Sequence, residues 1–251
     1  MNGTSHGLSP ERDRTAAALT PLPGSLKTMS TRVRLPTPYG RCSFCLREDV
    51  ALTREHVFAR WLVERLRAWR VTASGHALAD TAPQTRIADL VANVCGACNH
   101  GWMSSLEVSF RQAVFGTSRP ERLAAPTRQV LSRWFTKTAT LVAYAAGQEL
   151  IPDEQWSELP NAMPAGIRVG LARIRRPRQP LDLGFEYSET HADHRTARVM
   201  SVAVQVDDLV GIVTRTPFLA VRATTLWPIR SHVLRWTTLP VVNRLTDLTA
   251  G

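Results

Sequence analysis

The sequence predicts an α+β protein. A cysteine-clipped finger of treble-clef type comes first, then a helix and a small α+β unit. Three observations carry this. All four cysteines fall into two C-x-x-C pairs, Cys42/Cys45 and Cys95/Cys98, and the second pair runs into a helical pattern. Apolar residues recur at helical spacing after each pair. Beyond residue 160, Pro-punctuated segments rich in β-branched residues take over.

Residues 1–35 are rich in Ser, Thr, Gly and Pro without apolar periodicity, and read as a disordered tail. Met29 offers an alternative start within it. Charged residues at 11–14 and Pro21 and Pro23 break any secretory pattern, so a cytoplasmic location is expected. The finger is expected over 36–118. It opens with the tight turn at Cys42–Cys45. Phe58, Leu62, Leu66 and Trp69 then predict an amphipathic helix over 57–69. Residues 71–85 read as loop, and Ile87–Val94 as a short strand or turn entering the second pair. From Asn99 to Phe115, Trp102, Met103, Leu106, Phe110 and Val114 predict a second helix, ended by Gly116 and Pro120.

The second unit, 119–251, opens with a helix over Thr127–Ala146. Strands are expected at Ile167–Ile174, Leu183–Tyr187, Val199–Val206, Leu209–Thr214 and Phe218–Leu226. Val202, Val204 and Val206 alternate with Ala203 and Gln205, as in a half-buried strand.

With 251 residues and 44% hydrophobic content, the chain can bury a sizeable core and is not disordered throughout. The longest run without acidic or basic residues, Leu90–Leu106, contains Asn93, Asn99 and His100 and is no membrane span. The net charge of +10 is almost all arginine, since Lys27 and Lys137 are the only lysines. It suits a polyanionic partner. The finger carries little of it: 36–115 holds nine basic and seven acidic residues, against seventeen and twelve in 116–251.

Two thiols on each of two tight turns can close a tetrahedral Zn²⁺ site through Cys42, Cys45, Cys95 and Cys98. Such a site is structural, with no open position for chemistry. The 49 residues between the pairs exceed a compact zinc ribbon, so a helix and loop must be carried inside the finger. Glu55 and His56 lie within the clip, and Asn99 follows its last cysteine. Glu55 and Asn99 can hold Mg²⁺ or a similar ion through oxygen. His56 can deprotonate a water. The helix start near Asn99 adds positive potential for a phosphate. The bland readings are a helix cap for Glu55 or Asn99, a solvated His56, and core packing for Trp102, Met103 and Leu106.

Cys-x-x-Cys, Glu-His, then Cys-x-x-Cys-Asn resembles the HNH endonucleases of the ββα-metal type. Glu-His-Val-Phe-Ala-Arg-Trp-Leu (55–62) and Val-Cys-Gly-Ala-Cys-Asn-His-Gly-Trp-Met-Ser-Ser-Leu-Glu (94–107) look like a bacterial and phage branch of it. The resemblance covers about 40–115. It implies a metal-dependent endonuclease hydrolysing DNA, with RNA as the other substrate. His56 matches the family's general base, Glu55 its acidic metal ligand and Asn99 its last metal ligand. Three positions depart. Glu55 stands where Asp is usual, Leu90 where a middle Asn is usual, and Ala59 where Pro is common. Asp89 or Asn93 is a substitute orienting group for His56. Arg54, Arg60 and Arg67 are the expected phosphate contacts near the site, and the run Arg173–Arg178 is another in the second unit. Two alternatives follow: a finger that binds nucleic acid or protein without cutting, and a toxin or defence effector whose target the second unit selects.

Overall fold

The computed structural model describes residues 39–71, 73–74, 85–86, 90–117, 121–146, 148–192, 195–215, 223–229 and 234–248. The expected tail at 1–35 lies outside them, as do Ile87–Asp89 and most of the loop at 71–85.

The first part is built on a small antiparallel sheet. β1 (Tyr39–Gly40) pairs with β2 (Val50–His56), and β2 with β6 (Val91–Cys95). Between them lie α1 (Arg60–Leu66) and the two-residue strands β3 (Arg70–Val71), β4 (Ala73–Ser74) and β5 (Thr85–Arg86). The expected helix over 57–69 is therefore shorter at both ends. Val57 and Phe58 are fully buried in the bend between β2 and α1, and the Val57 N–H donates to the Leu90 carbonyl at 2.9 Å. At the other end Arg67 turns left-handed (φ 52°), which stops the helix. Trp69 is left 64% exposed, outside the apolar stripe that the spacing assigned to it.

The second cysteine pair opens a helical run: α2 (Gly96–Cys98), a wide π turn (Asn99–Met103), then α3 (Ser104–Phe115). The π turn kinks at Gly101 (φ −88°, ψ −111°), where a bare backbone absorbs the irregularity.

α4 (Ala125–Ala145) matches the expected helix within two residues and is the spine of the molecule. It packs against α3, β6 and one face of the large sheet. Residues 134–143 are buried on every side, as a helix covered from both directions must be. Trp134 stacks on Phe110 of α3 at 3.7 Å between ring centroids. α5 (Asp153–Trp156) follows and sends Trp156 against Phe44 of the first cysteine turn.

The large sheet has the order β11–β7–β10–β9–β8–β4, with β12 (Val241–Val242) also pairing β7. Its strands are β7 (Ile167–Ile174), β8 (Leu181–Ala192), β9 (Arg195–Val206), β10 (Leu209–Arg215) and β11 (Thr224–Trp227). β8, β9 and β10 form an antiparallel meander, with β7 returning beside β10. At Gly211 the sheet meets α4 so closely that a Cβ would lie 2.2 Å from the Phe135 ring. Only glycine fits there.

The first part and the second share one core, which runs from Cys42 to Leu239, and β4 extends the large sheet by pairing β8. The chain is thus mixed α and β. Among the described residues no helix is long and apolar enough to cross a membrane.

Candidate metal centre and adjoining polar site

The first cysteine turn is fixed by its backbone. The Cys42 N–H donates to the Arg47 carbonyl and the Leu46 N–H to the Cys42 carbonyl, both at 3.0 Å. Leu46 takes a left-handed φ of 57° to close the turn. Ser43 ties it to β6, through its N–H and its hydroxyl to the Asn93 carbonyl. The β2–β6 ladder then brings the second pair alongside, and the Cys95 N–H donates to the Cys42 sulfur at 3.3 Å.

The result is four sulfurs all within 4.8 Å of one another. None is in a disulfide. Cys45 and Cys95 Sγ are 3.7 Å apart. A tetrahedral ion with Zn–S bonds of ~2.3 Å sets its sulfurs roughly 3.8 Å apart, so the spacing suits zinc. Burial pushes the Cys42 thiol up. It does the same to Cys98, helped by the charge of Cys42. Four crowded thiols cannot all ionise alone, and a divalent cation is what relieves them. The surroundings fit thiolates. Burial would raise Cys45, yet the Arg47 guanidinium, donating to Cys45 at 3.5 Å and to Cys95 at 3.8 Å, brings it down to about 6. The Trp102 indole N–H, buried without a nitrogen or oxygen partner, helps draw Cys98 toward the thiolate. The four cysteines are thus placed to bind a metal ion. Among the described residues no other group of three or more His, Cys, Asp or Glu converges in this way.

Beside the clip, the strand period sorts the remaining candidates. Along β2, Thr53 and Glu55 turn inward and Arg54 and His56 are exposed. The Asn99 side-chain amide donates to Thr53 Oγ1 at 3.0 Å, and Thr53 donates in turn to the Val94 carbonyl at 2.8 Å. The helix start is thereby tied to β2. Glu55 sits in the same neighbourhood. Burial raises its carboxyl above the usual range. Lys137 counters this, Glu107 adds to it, and the Asn99 amide and His100 draw it down.

The structure therefore brings Glu55 and Asn99 together. His56, last in β2 and paired with Val91, is exposed on the opposite strand face, and its side chain makes no hydrogen bond among the described residues. Asn93 shares the His56 strand face through the Arg54–Asn93 pairing, and among the described residues no hydrogen bond joins its side chain to His56. Asp89 lies outside the described residues. Leu90 is buried and engaged through its carbonyl with Val57. Arg54, Arg60 and Arg67 are exposed, Arg60 pairing with Glu64 at 2.6 Å. Of the basic run 173–178, Arg173 pairs with Asp208, while Arg175, Arg176 and Arg178 are exposed.

Behind Glu55 lies a polar cluster that sequence reasoning missed. Glu107 of α3 is buried and accepts three hydrogen bonds: from Lys137 Nζ at 2.6 Å, Trp134 Nε1 at 2.9 Å and Trp61 Nε1 at 3.2 Å. Lys137 is wholly buried. The signal was present. Glu107 falls on the apolar stripe of Met103, Phe110 and Val114, and Lys137 is one of two lysines in an arginine-rich chain. Lys137 thus pairs with Glu107 and acts on Glu55 only through space.

No protein-family model, curated protein or solved structure matches this chain.

Proposed function

We propose that the chain is a metal-dependent HNH-type endonuclease acting on nucleic acid, with DNA as the first substrate to test. In this reading the cysteines hold a structural Zn²⁺ in a treble-clef, ββα-metal finger. Glu55 and Asn99 hold a second divalent ion such as Mg²⁺. The supporting observation is that a partly buried Glu55 lies close to Asn99 beside the clip, and two oxygen donors so placed suit a divalent cation. With two protein oxygens on offer, an ion there keeps most of its waters, as Mg²⁺ prefers.

When bound, such an ion supplies Lewis acidity to a phosphodiester. The chain's own residues do the rest. Glu55 carries the charge that retains the ion, and the Asn99–Thr53–Val94 hydrogen bonds fix the amide against β2. His56 is given the proton of the attacking water by the resemblance; it is exposed on the strand face opposite Glu55, so this role requires its ring to reach the water around the end of β2. Arg54 and Arg67 lie exposed near the same strand and helix and contact flanking phosphates.

One observation favours a second reading, a finger that binds nucleic acid without cutting. Leu90 occupies the place of the family's middle Asn, is buried, and leaves His56 without an orienting partner. Supercoiled plasmid with Mg²⁺ or Mn²⁺ separates the two. The endonuclease reading expects nicking that His56→Ala abolishes. Binding without nicking under any divalent ion would establish the other.

A further inference from the structure

The end of the large sheet remote from the β7–β8 turn carries an open groove that the nuclease reading does not use. Its volume is about 700 Å³, within the roughly 300–1,000 Å³ of small-ligand sites. Three adjacent strands end on it: β7 begins there, and β10 and β11 finish there. Arg168 stands on β7 across from Thr214. Arg215 closes β10 across from Ile167, and Trp227 closes β11 across from Val169. Gly166, in the turn before β7, has a φ of +75° that only glycine adopts freely, and a Cβ there would lie 4.0 Å from the Arg215 stem.

The chemistry of the lining is selective. Trp227 is half-buried, resting on the core while lining the groove. Arg168 and Arg215 make no hydrogen bond or ion pair among the described residues, and no described carboxylate lines the groove. Some other arginines are engaged, Arg173 by Asp208, Arg235 by Glu121 and Arg133 by the Leu159 and Pro160 carbonyls, while Arg54, Arg67, Arg175, Arg176 and Arg178 are exposed on the surface. By the register Arg215 shares the Trp227 face of the sheet and Arg168 the other, so the two unpaired arginines flank the strand ends with the indole on one side, which suits a ligand that is both anionic and planar. An acidic peptide would satisfy the arginines and leave the ring idle. Bases inside a duplex are already stacked and cannot reach it.

We propose that this groove binds a nucleotide unit, with the base against Trp227 and the phosphates on Arg168 and Arg215. Single-stranded nucleic acid and a free nucleotide share that chemistry. The site is independent of cleavage at Glu55 and His56, and it gives the second part of the chain a binding role.

The test is fluorescence anisotropy of a dye-labelled oligothymidylate of about 12 nucleotides with the zinc-loaded full chain, without Mg²⁺. Omitting Mg²⁺ keeps the readout independent of cleavage, so its outcome is separate from that of the nuclease reading. Trp227→Leu should weaken binding about tenfold. Because Trp227 also rests on the core, the pair Arg168→Gln/Arg215→Gln provides a second test that leaves the core intact. It should flatten the slope of log K against log salt by about 1.4, at ~0.7 per phosphate lost. Arg41→Gln/Arg122→Gln, an equal loss of charge at exposed positions that do not line the groove, should leave affinity unchanged. Competition with free thymidine monophosphate then tells the sources apart: displacement points to a nucleotide ligand, retention to a strand. Absence of oligonucleotide binding would overturn the proposal, as would an equal loss in the control pair or wild-type binding by the Arg168/Arg215 variant.

Discussion

Glu107→Gln is a small change with a large expected cost. The carboxylate is 8% exposed and takes three donors, one of them the ammonium of a fully buried Lys137. The amide keeps one acceptor oxygen and replaces the other with an NH₂ group. That group either faces the Trp61 N–H or crowds Lys137, and the charge opposite Lys137 is gone. Removing one partner of a buried ion pair typically costs about 3–5 kcal/mol. A chain of this length shifts its Tm by roughly 2–4 °C per kcal/mol, so the midpoint should fall by about 6–20 °C. Thermal unfolding followed by tryptophan fluorescence in zinc-saturated buffer reads this, since Trp61 and Trp134 are themselves donors. Adding Lys137→Met removes the stranded cation, and the double variant should recover more than half of the loss. A Glu107→Gln midpoint within about 2 °C of wild type would refute the reasoning, because the pair would then carry little of the structure.

Four further outcomes are expected. Stripping the metal with a strong chelator should loosen the packing of Phe44 on Trp102 and Trp156 and red-shift tryptophan emission; unchanged emission and melting would exclude a structural ion. Arg47→Ala should lower zinc affinity about 10–100-fold in a chelator competition, since Arg47 donates to two of the sulfurs; equal affinity would remove it from the site. Burial raises the Asp182 carboxyl from 3.8 to about 6. The native state therefore binds its proton more readily than the unfolded one. The stability this adds grows as pH falls from about 6 toward 3.8 and is absent at neutral pH. Asp182→Asn keeps an acceptor for the Leu183 N–H and should stabilise the protein at pH 7 by up to about 1–2 kcal/mol after allowance for solvent screening. Urea melts at pH 7 and pH 5 check it, and a loss of stability at pH 7 would reverse the sign of the argument. Gly211→Ala should destabilise by about 1–3 kcal/mol or more in urea melts, because its methyl enters the Phe135 ring, and a neutral result would mean that α4 can move off the sheet.

The elements whose pattern is repetitive were legible in the sequence. α4 and β7 are set by long periodic apolar runs, and the observed bounds follow the spacing closely. The cysteine cluster was legible because metal chemistry leaves few residue choices. α1 was overextended because Val57, Phe58 and Trp69 satisfy a helical spacing. The buried bend at Val57–Phe58 and the left-handed Arg67 override it, and both depend on tertiary contacts. At the site, strand alternation already implies that adjacent Glu55 and His56 face apart. Their separation by burial follows from which face of β2 meets the helical run that starts after Cys95. The Glu107–Lys137 pair was the hardest to see. It joins residues 30 apart on two helices, and no local spacing encodes a contact between stripes of different helices.

The account rests most on Glu55 as the group that retains a divalent ion beside the zinc clip. The direct measurement is cleavage of supercoiled plasmid by zinc-loaded protein across a Mg²⁺ titration, wild type against Glu55→Gln. The expected result is Mg²⁺-dependent nicking by the wild type that Glu55→Gln loses, with zinc content and melting temperature retained. Nicking by Glu55→Gln at the wild-type rate and with the same Mg²⁺ dependence would contradict the account.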